Sequence, residues 1–265
     1  MRKIGLFKPK LREAVRMTST ISSPSTALVT GATSGIGRAT AIALAATGIH
    51  VAVSGRDKVR GDLTVAAIRA AGGRADFVPA DLRDAASATQ LAGAAEAVLG
   101  HVDILVNNAG SGAFGPTADT TEAAFDELFA LNVKVPYFLT AALAPGMAER
   151  GTGVIVNVST MVAEFGLDGM ALYGSTKAAL ELLTKAWSAE FGPKGIRVNA
   201  VAPGPISTEG TEGMREAQGY LASLAPARRL GTAQEIAAAI VYLASPEAAF
   251  TNGVVLPVDG GRVAV

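Results

Sequence analysis

No cysteine occurs among the 265 residues. Disulfides, thiolate metal centres and cysteine nucleophiles are excluded, and a reducing, cytoplasmic location is the expectation. Histidine is nearly as scarce. His50 and His101 stand too far apart for a metal cage, so no metal site is expected and a zinc-type alcohol dehydrogenase centre is ruled out. The formal charge is zero, which gives nucleic acid no electrostatic hold on the chain as a whole. A run of about 18 apolar residues is missing, and no stable membrane insertion is expected. Nor does the N-terminus carry the apolar stretch of a signal peptide, because Lys8-Pro9-Lys10 interrupts Leu6-Phe7 at once.

Apolar residues are plentiful at 49%, against 17% charged, which fits one globular α/β domain. Charge is unevenly spread. Arg2, Lys3, Lys8, Lys10, Arg12 and Arg16 face only Glu13 in the first 16 residues, a net +5 that the remainder must balance with −5. Residues 1–24 read as a basic tail ahead of a fold at 25–265, with a basic amphipathic segment touching a partner or membrane as the alternative. Met17 is a second candidate start, since the stretch from Thr18 to Pro24 reads as an ordinary polar leader.

Short Val/Ile/Leu-rich strands alternate with longer helical patterns. Strands are expected at 27–29, 50–54, a segment ending at 79, 102–107, 154–159, 198–202 and 254–258. Helices are expected at 36–47, 59–71, 85–99, 122–133, 172–191 and 233–244. Continuously apolar strands belong in a parallel sheet covered on both faces. With no internal repeat and no linker, the pattern predicts one doubly wound, Rossmann-type domain of about seven strands, with a short lid at about 207–229.

The first chemical signal is Thr30-Gly31-Ala32-Thr33-Ser34-Gly35-Ile36-Gly37, set between the first strand and its helix. Glycine there lets the backbone turn sharply and come close to a diphosphate, and the helix start offers free N–H groups. No lysine follows the last glycine, which excludes an NTP-hydrolysing phosphate loop. Downstream come Asn107-Asn108-Ala109-Gly110 after the fourth strand, Tyr173-x-x-x-Lys177 on a helix and Pro203-Gly204 after the sixth strand. Four residues apart on a helix, Tyr173 and Lys177 share a face. A free tyrosine titrates near pH 10. An ammonium at about 4 Å contributes about 4 kcal/mol at an effective dielectric of 20, enough to bring that group toward neutrality, with burial opposing part of the effect. The pair is thus a candidate general acid/base.

These motifs, in this order across 26–261, resemble the short-chain dehydrogenase/reductase family, in look closest to bacterial 3-oxoacyl-carrier-protein reductase-like members. The resemblance implies an oxidoreductase moving hydride between a nicotinamide dinucleotide and a small-molecule carbonyl or alcohol. It also implies Tyr173 as proton donor or acceptor and Lys177 as its partner and holder of the nicotinamide ribose. The hydroxyl that holds the substrate oxygen belongs thirteen residues before the tyrosine, which is Thr160 rather than the usual serine; Ser159 beside it is the substitute. Asn132 matches the asparagine whose backbone holds a water in the proton relay.

Gly31, Thr33, Ser34, Gly35, Ile36, Gly37, Asp81, Leu82, Asn108, Ala109, Gly110, Pro203, Gly204, Ile206 and Thr208 match the cofactor contacts, with Asn107 on the adenosine side. At the end of the second strand, NAD-preferring relatives place an acidic residue that binds the ribose hydroxyls. Here Gly55 stands there and Arg56 follows, a planar donor suited to a 2′-phosphate, so NADP(H) is expected over NAD(H). Arg38 is either a second phosphate contact or a surface charge. The histidines fall at the strand ends opposite the expected crevice and carry no chemistry. Apolar residues around the Tyr173 helix (Ala178, Ala179, Leu180, Leu182, Leu183, Trp187) exceed one stripe, and the resemblance implies a homotetramer. An NAD-dependent polyol or alcohol dehydrogenase of the same family and a non-catalytic dinucleotide sensor stay open as alternatives. A nucleotide-sugar epimerase or dehydratase would need a larger C-terminal region.

Overall fold

The computed structural model describes residues 26–265, so the basic tail and Met17 lie outside the described residues. The strands are β1 (Thr26–Val29), β2 (His50–Gly55), β3 (Arg74–Pro79), β4 (Ile104–Asn107), β5 (Gly153–Val158), β6 (Ile196–Pro203), the two-residue pair β7 (Ile206–Ser207) and β8 (Gly231–Thr232), and β9 (Val255–Val258). Seven of them form one sheet in the order β3-β2-β1-β4-β5-β6-β9, with every pairing parallel. The helices are α1 (Gly35–Ala46), α2 (Lys58–Ala70), α3 (Ala85–Leu99), α4 (Glu122–Phe129), α5 (Val135–Arg150), α6 (Ala171–Phe191), α7 (Arg215–Leu224) and α8 (Ala233–Ala244).

Strand residues alternate between two buried faces, which is why the strands read as unbroken apolar runs. Val29, Val53, Val106 and Val156 point to the layer of α1, α2 and α8. Leu28, Ala52, Leu105 and Ile155 point to the layer of α3, α5 and α6. Each such Val, Leu or Ile contributes about 1.5–3 kcal/mol by leaving water. After β1 the chain winds toward β2 and β3, and after β4 it winds the other way. A crevice therefore opens at the carboxyl ends of β1 and β4, where an open α/β sheet binds its ligands.

The expected helix at 122–133 does not stop there. α4 passes through a widened π-type turn at Ala130–Lys134 into α5, which runs on to Arg150. Pro136 falls in the first turn of α5, where a missing N–H costs little, while Pro145 sits inside the helix. By length and composition this run, Glu122–Arg150, is long and apolar enough to cross a membrane. In the structure its apolar stripe, including Leu139, Leu143 and Met147, is buried against the sheet and α3. The lid region is itself helical, with a 3-10 segment at Glu209–Met214 leading into α7. The histidines lie at the amino ends of the strands, as expected. His50 Nε2 meets Asp76 Oδ2 at 2.7 Å, and His101 Nε2 lies 3.2 Å from Asp103.

Candidate active site

The turn after β1 is welded to the turn after β4. Thr30 Oγ1 accepts from the backbone N–H groups of Asn108 (3.0 Å) and Ala109 (2.9 Å) and lies 3.2 Å from the Val106 carbonyl. Asn108 Nδ2 donates to the carbonyls of Thr30 (2.8 Å) and Gly31 (3.2 Å). Gly37 packs directly under this weld, and a Cβ there would run into the Gly31 carbonyl and the Asn108 amide. Gly31 itself adopts φ +63°, a left-handed conformation that a side chain would strain. Ser34 starts α1 without a side-chain cap bond, so its own hydroxyl does not satisfy the first N–H groups of the helix.

A cleft of about 1330 Å³ opens over this turn. Gly31, Thr33, Ser34, Gly35, Ile36, Gly37, Arg56, Asp81, Leu82, Asn108, Ala109, Gly110 and Thr208 all line it. A cradle closed to side chains by its own backbone, with helical N–H groups at its floor, fits the diphosphate of a dinucleotide. Asn107 does not face this space. It is buried, and its amide donates to Asn157 Oδ1 at 2.9 Å, so the sequence-based placement on the adenosine side is corrected. Parallel register puts Asn107 beside Asn157, and the pleat turns its side chain into the sheet layer instead.

At the tip of β2, Gly55 lies against Thr33. A Cβ on Gly55 would stand 2.6 Å from Thr33 Cγ2 and 3.2 Å from its Oγ1. The two segments are also tied by Ala32 N–H donating to the Ser54 carbonyl at 2.8 Å. Arg56 follows on the cleft wall, exposed. The other arginines nearby are already paired: Arg60 Nε with Asp57 at 2.7 Å, and Arg83 with Asp81 at 2.5 Å.

Beyond Gly110, α6 presents Tyr173 and Lys177. Tyr173 is partly buried and lies 6.1 Å ring to ring from Phe114. Burial pushes its phenol above the usual tyrosine range, and the Thr160 side chain opposes this in part. The sequence-based expectation of a tyrosine drawn toward neutrality by lysine is therefore reversed. Lys177 is 5% exposed and donates to the Val158 carbonyl at 2.8 Å rather than aiming its charge at the phenol, and burial lowers its own pKa to about 8. Its Nζ still lies close beneath Gly110, 3.2 Å from where a Cβ on that residue would be.

The two neighbouring hydroxyls part company. Ser159 is buried and donates to Glu181 Oε1 at 2.6 Å, on the far side from the tyrosine. Burial raises the Glu181 carboxyl, and the Ser159 hydrogen bond counters this. Thr160 is left facing Tyr173. Asn132, fully buried in the π-type turn, spends its side chain on the loop after β4. Oδ1 accepts from Ser111 N–H at 3.0 Å, and Nδ2 donates to the Ser111 carbonyl at 2.9 Å and to Thr176 Oγ1 at 3.0 Å.

Not every matched position reaches the cleft. Pro203 is buried at the end of β6, Gly204 packs on Asp259, and Ile206 is buried against Gly231 where β7 pairs with β8. Arg38 borders the adjoining hollow rather than the cleft and pairs with Glu209, in the segment expected as a lid. Sequence reasoning did not assign Thr30, Ser111, Thr176, Glu181 or Glu209. Thr30 was readable as the first letter of the glycine motif, whereas the others are set by long-range contacts with no local pattern.

Comparison with known proteins places this geometry among relatives. A family profile described as enoyl-(acyl carrier protein) reductase matches residues 31–262. An uncharacterized oxidoreductase of Thermotoga maritima is 38% identical over 90% of this chain and 97% of its own length. The gluconate 5-dehydrogenase of Gluconobacter oxydans is 37% identical over 89% of this chain and 93% of its own. Among solved structures, a short chain dehydrogenase/reductase family protein is 48% identical, covers 91% of this chain and 98% of its own, and superposes with TM-score 0.84. A candidate NAD(P)-dependent gluconate 5-dehydrogenase from Beutenbergia cavernae, carrying NADP at low occupancy, is 35% identical with TM-score 0.87 over 91% and 97% of the two chains.

Proposed function

The chain belongs to the short-chain dehydrogenase/reductase family and is an NAD(P)-dependent oxidoreductase, and from that premise we propose that it is an NADPH-dependent ketoreductase with Tyr173 as its general acid. The reading rests on one observation: of two adjacent hydroxyls, Ser159 is held by Glu181 at 2.6 Å, which leaves Thr160 as the one that acts on Tyr173. When bound, the dinucleotide supplies the hydride to the carbonyl carbon or accepts it from the alcohol.

The chain's own residues do the rest. Thr160 donates to the substrate oxygen and orients it toward Tyr173. Tyr173, kept protonated by burial, gives its proton to that oxygen as negative charge develops there. Lys177 holds a proton one turn away and lies beneath Gly110, where it can bind the nicotinamide ribose. Asn132 fixes the loop at Ser111 that walls the substrate side. Pro203, Gly204 and Ile206 shape the strand end from which Thr208 reaches the cleft, with Thr208 as the carboxamide contact. The substrate is a small carbonyl compound or alcohol, entering between the loop at 110–116, the loop at 163–172 and the lid.

Loss of the Thr160 hydroxyl is expected to cost about 10²-fold in turnover, since it positions the reacting oxygen. Ser159→Ala should leave turnover within a few-fold but lower stability by about 1–3 kcal/mol, because a buried carboxyl loses its partner. Steady-state rates and thermal melts of both variants check this. A larger loss of turnover in Ser159→Ala would transfer the role to that residue.

Preference for NADP(H) follows from Gly55, which brings no negative charge to the ribose end, and from Arg56, which forms no ion pair among the described residues while Asp57 and Asp81 are taken by Arg60 and Arg83. Arg56→Ala should weaken NADPH binding by about tenfold and NADH by much less, read by fluorescence titration. Equal losses would place the 2′-phosphate elsewhere.

A homotetramer is part of the same reading. Trp187 and Leu180 are buried within the subunit, but Leu182 remains 69% exposed, with Phe125, Tyr137 and Phe138 exposed on the neighbouring helices α4 and α5. A face of that size calls for a cover, and a second copy of this chain supplies one. Light scattering on the purified protein tests it, and a monomer at micromolar concentration would refute it.

A further inference from the structure

The first N–H of α1 is already occupied. Gly35 N–H donates at 3.1 Å to Glu209 Oε2, from a residue 174 positions further along the chain. The other oxygen of the same carboxylate pairs with Arg38, on the next turn of α1. Glu209 directly follows Thr208, whose side chain lies 3.5 Å from where a Cβ on Gly35 would stand. The start of the lid is thus clamped onto the glycine turn by one carboxylate. That carboxyl is held below the usual range by its own backbone N–H, by the Gly35 N–H and by Arg38.

We propose that Glu209 sets dinucleotide affinity, because its carboxylate occupies the helix-end N–H that the cofactor's diphosphate must share, and has to swing aside when the cofactor enters. This rests on the reading above, in which the dinucleotide lies over the Gly31–Gly37 turn. Two anionic groups at one helix end repel each other in a partly desolvated cleft. Arg38 gives the displaced carboxylate a place to stay, since only the bond to Gly35 needs to break. Glu209 itself lines a hollow of about 310 Å³ together with Gly35, Arg38, Ile42 and Thr208, which leaves room for that movement. Cofactor entry and release of the lid's first turn are then one event.

The test uses the full chain and binding alone. Wild type, Glu209→Gln and Glu209→Ala are titrated with NADPH, with NADH and with adenosine 2′-monophosphate, which lacks the bridging diphosphate. Both variants should bind the preferred dinucleotide about three- to tenfold more tightly, which is about 0.7–1.4 kcal/mol. Adenosine 2′-monophosphate should bind all three proteins equally, and that equality also shows the variants are folded. Unchanged or weaker dinucleotide binding would overturn the role of Glu209, as would an equal gain for the monophosphate. Should wild type bind neither dinucleotide, the cofactor reading itself fails, and this inference with it.

Discussion

Tyr173→Phe is expected to lower turnover by about 10²–10⁴-fold, the usual worth of a positioned acid/base, while dinucleotide affinity stays within about threefold. The substitution removes one oxygen. Phenylalanine keeps the ring beside Phe114 and the helical backbone of α6, so the wall of the site stands. Thr160 keeps its hydroxyl for the substrate. What disappears is the proton source. The phenol sits above its usual range through burial, so it is protonated at neutral pH and ready to donate in the reductive direction.

Lys177 adds a pH limb to the same expectation. Its pKa is lowered to about 8, so it is charged below that value and neutral above it. Reduction should therefore slow as pH rises through about 8, because the cation one helical turn from the reacting oxygen, beneath Gly110, is lost as negative charge develops there. Single-turnover rates with preloaded NADPH, measured for both proteins across that range, separate chemistry from binding. Retained turnover in Tyr173→Phe would remove the tyrosine as acid. A flat profile in the wild type would remove the lysine's charge from the step.

The other large effect is expected at Gly55, where charge and space act together. Gly55→Asp places a carboxylate at the ribose end of the cleft and should weaken NADPH by about 10²-fold through repulsion of the 2′-phosphate. It should not improve NADH. The new Cβ would stand 2.6 Å from Thr33 Cγ2, and the Ala32 to Ser54 hydrogen bond holds the two segments together. Overpacking of that kind costs about 1–3 kcal/mol, visible as a lower melting temperature. Thr33→Ala leaves only a Cβ, which lies 3.5 Å from the same point, an ordinary contact. The double variant Thr33→Ala/Gly55→Asp should thus recover the lost stability and bind NADH about tenfold more tightly than wild type. Titrations and melts of the four proteins form a double-mutant cycle. A single Gly55→Asp that gains NADH at unchanged stability would show that Thr33 gives way freely.

Such couplings mark the limit of what the sequence discloses. β1, β2, β4 and β5 were readable because both their faces are buried, so their composition is apolar without alternation. The glycine turn was readable because backbone crowding at Gly37 admits no side chain, a demand that falls on a single position. The Tyr173 and Lys177 pair was readable from helical spacing alone. The direction of Lys177 was not, because it depends on the Val158 carbonyl on another element. The tyrosine's shift has the opposite sign because burial, which helical spacing does not show, dominates it. A distance of thirteen residues from the tyrosine favours Thr160 over Ser159, but what engages Ser159 is Glu181, 22 residues beyond it and invisible to local pattern. The true length of α5 was hidden by two prolines that the helix accommodates.

The π-type turn at Ala130–Lys134 makes this stretch sensitive to length in a way that composition does not reveal. A π-type turn holds one residue more than an α-turn, so losing one there would leave a regular helix with the rest of α5 facing much as before, at the cost of the contact between Asn132 and Ser111. Gaining one would rotate everything after it by about 100° and swing Leu139, Leu143 and Met147 off the sheet. Single substitutions along its exposed side leave that alignment alone. The extra residue in this turn thus serves the substrate loop through Asn132, while the facing of α5 on the core is exposed to insertion rather than to loss.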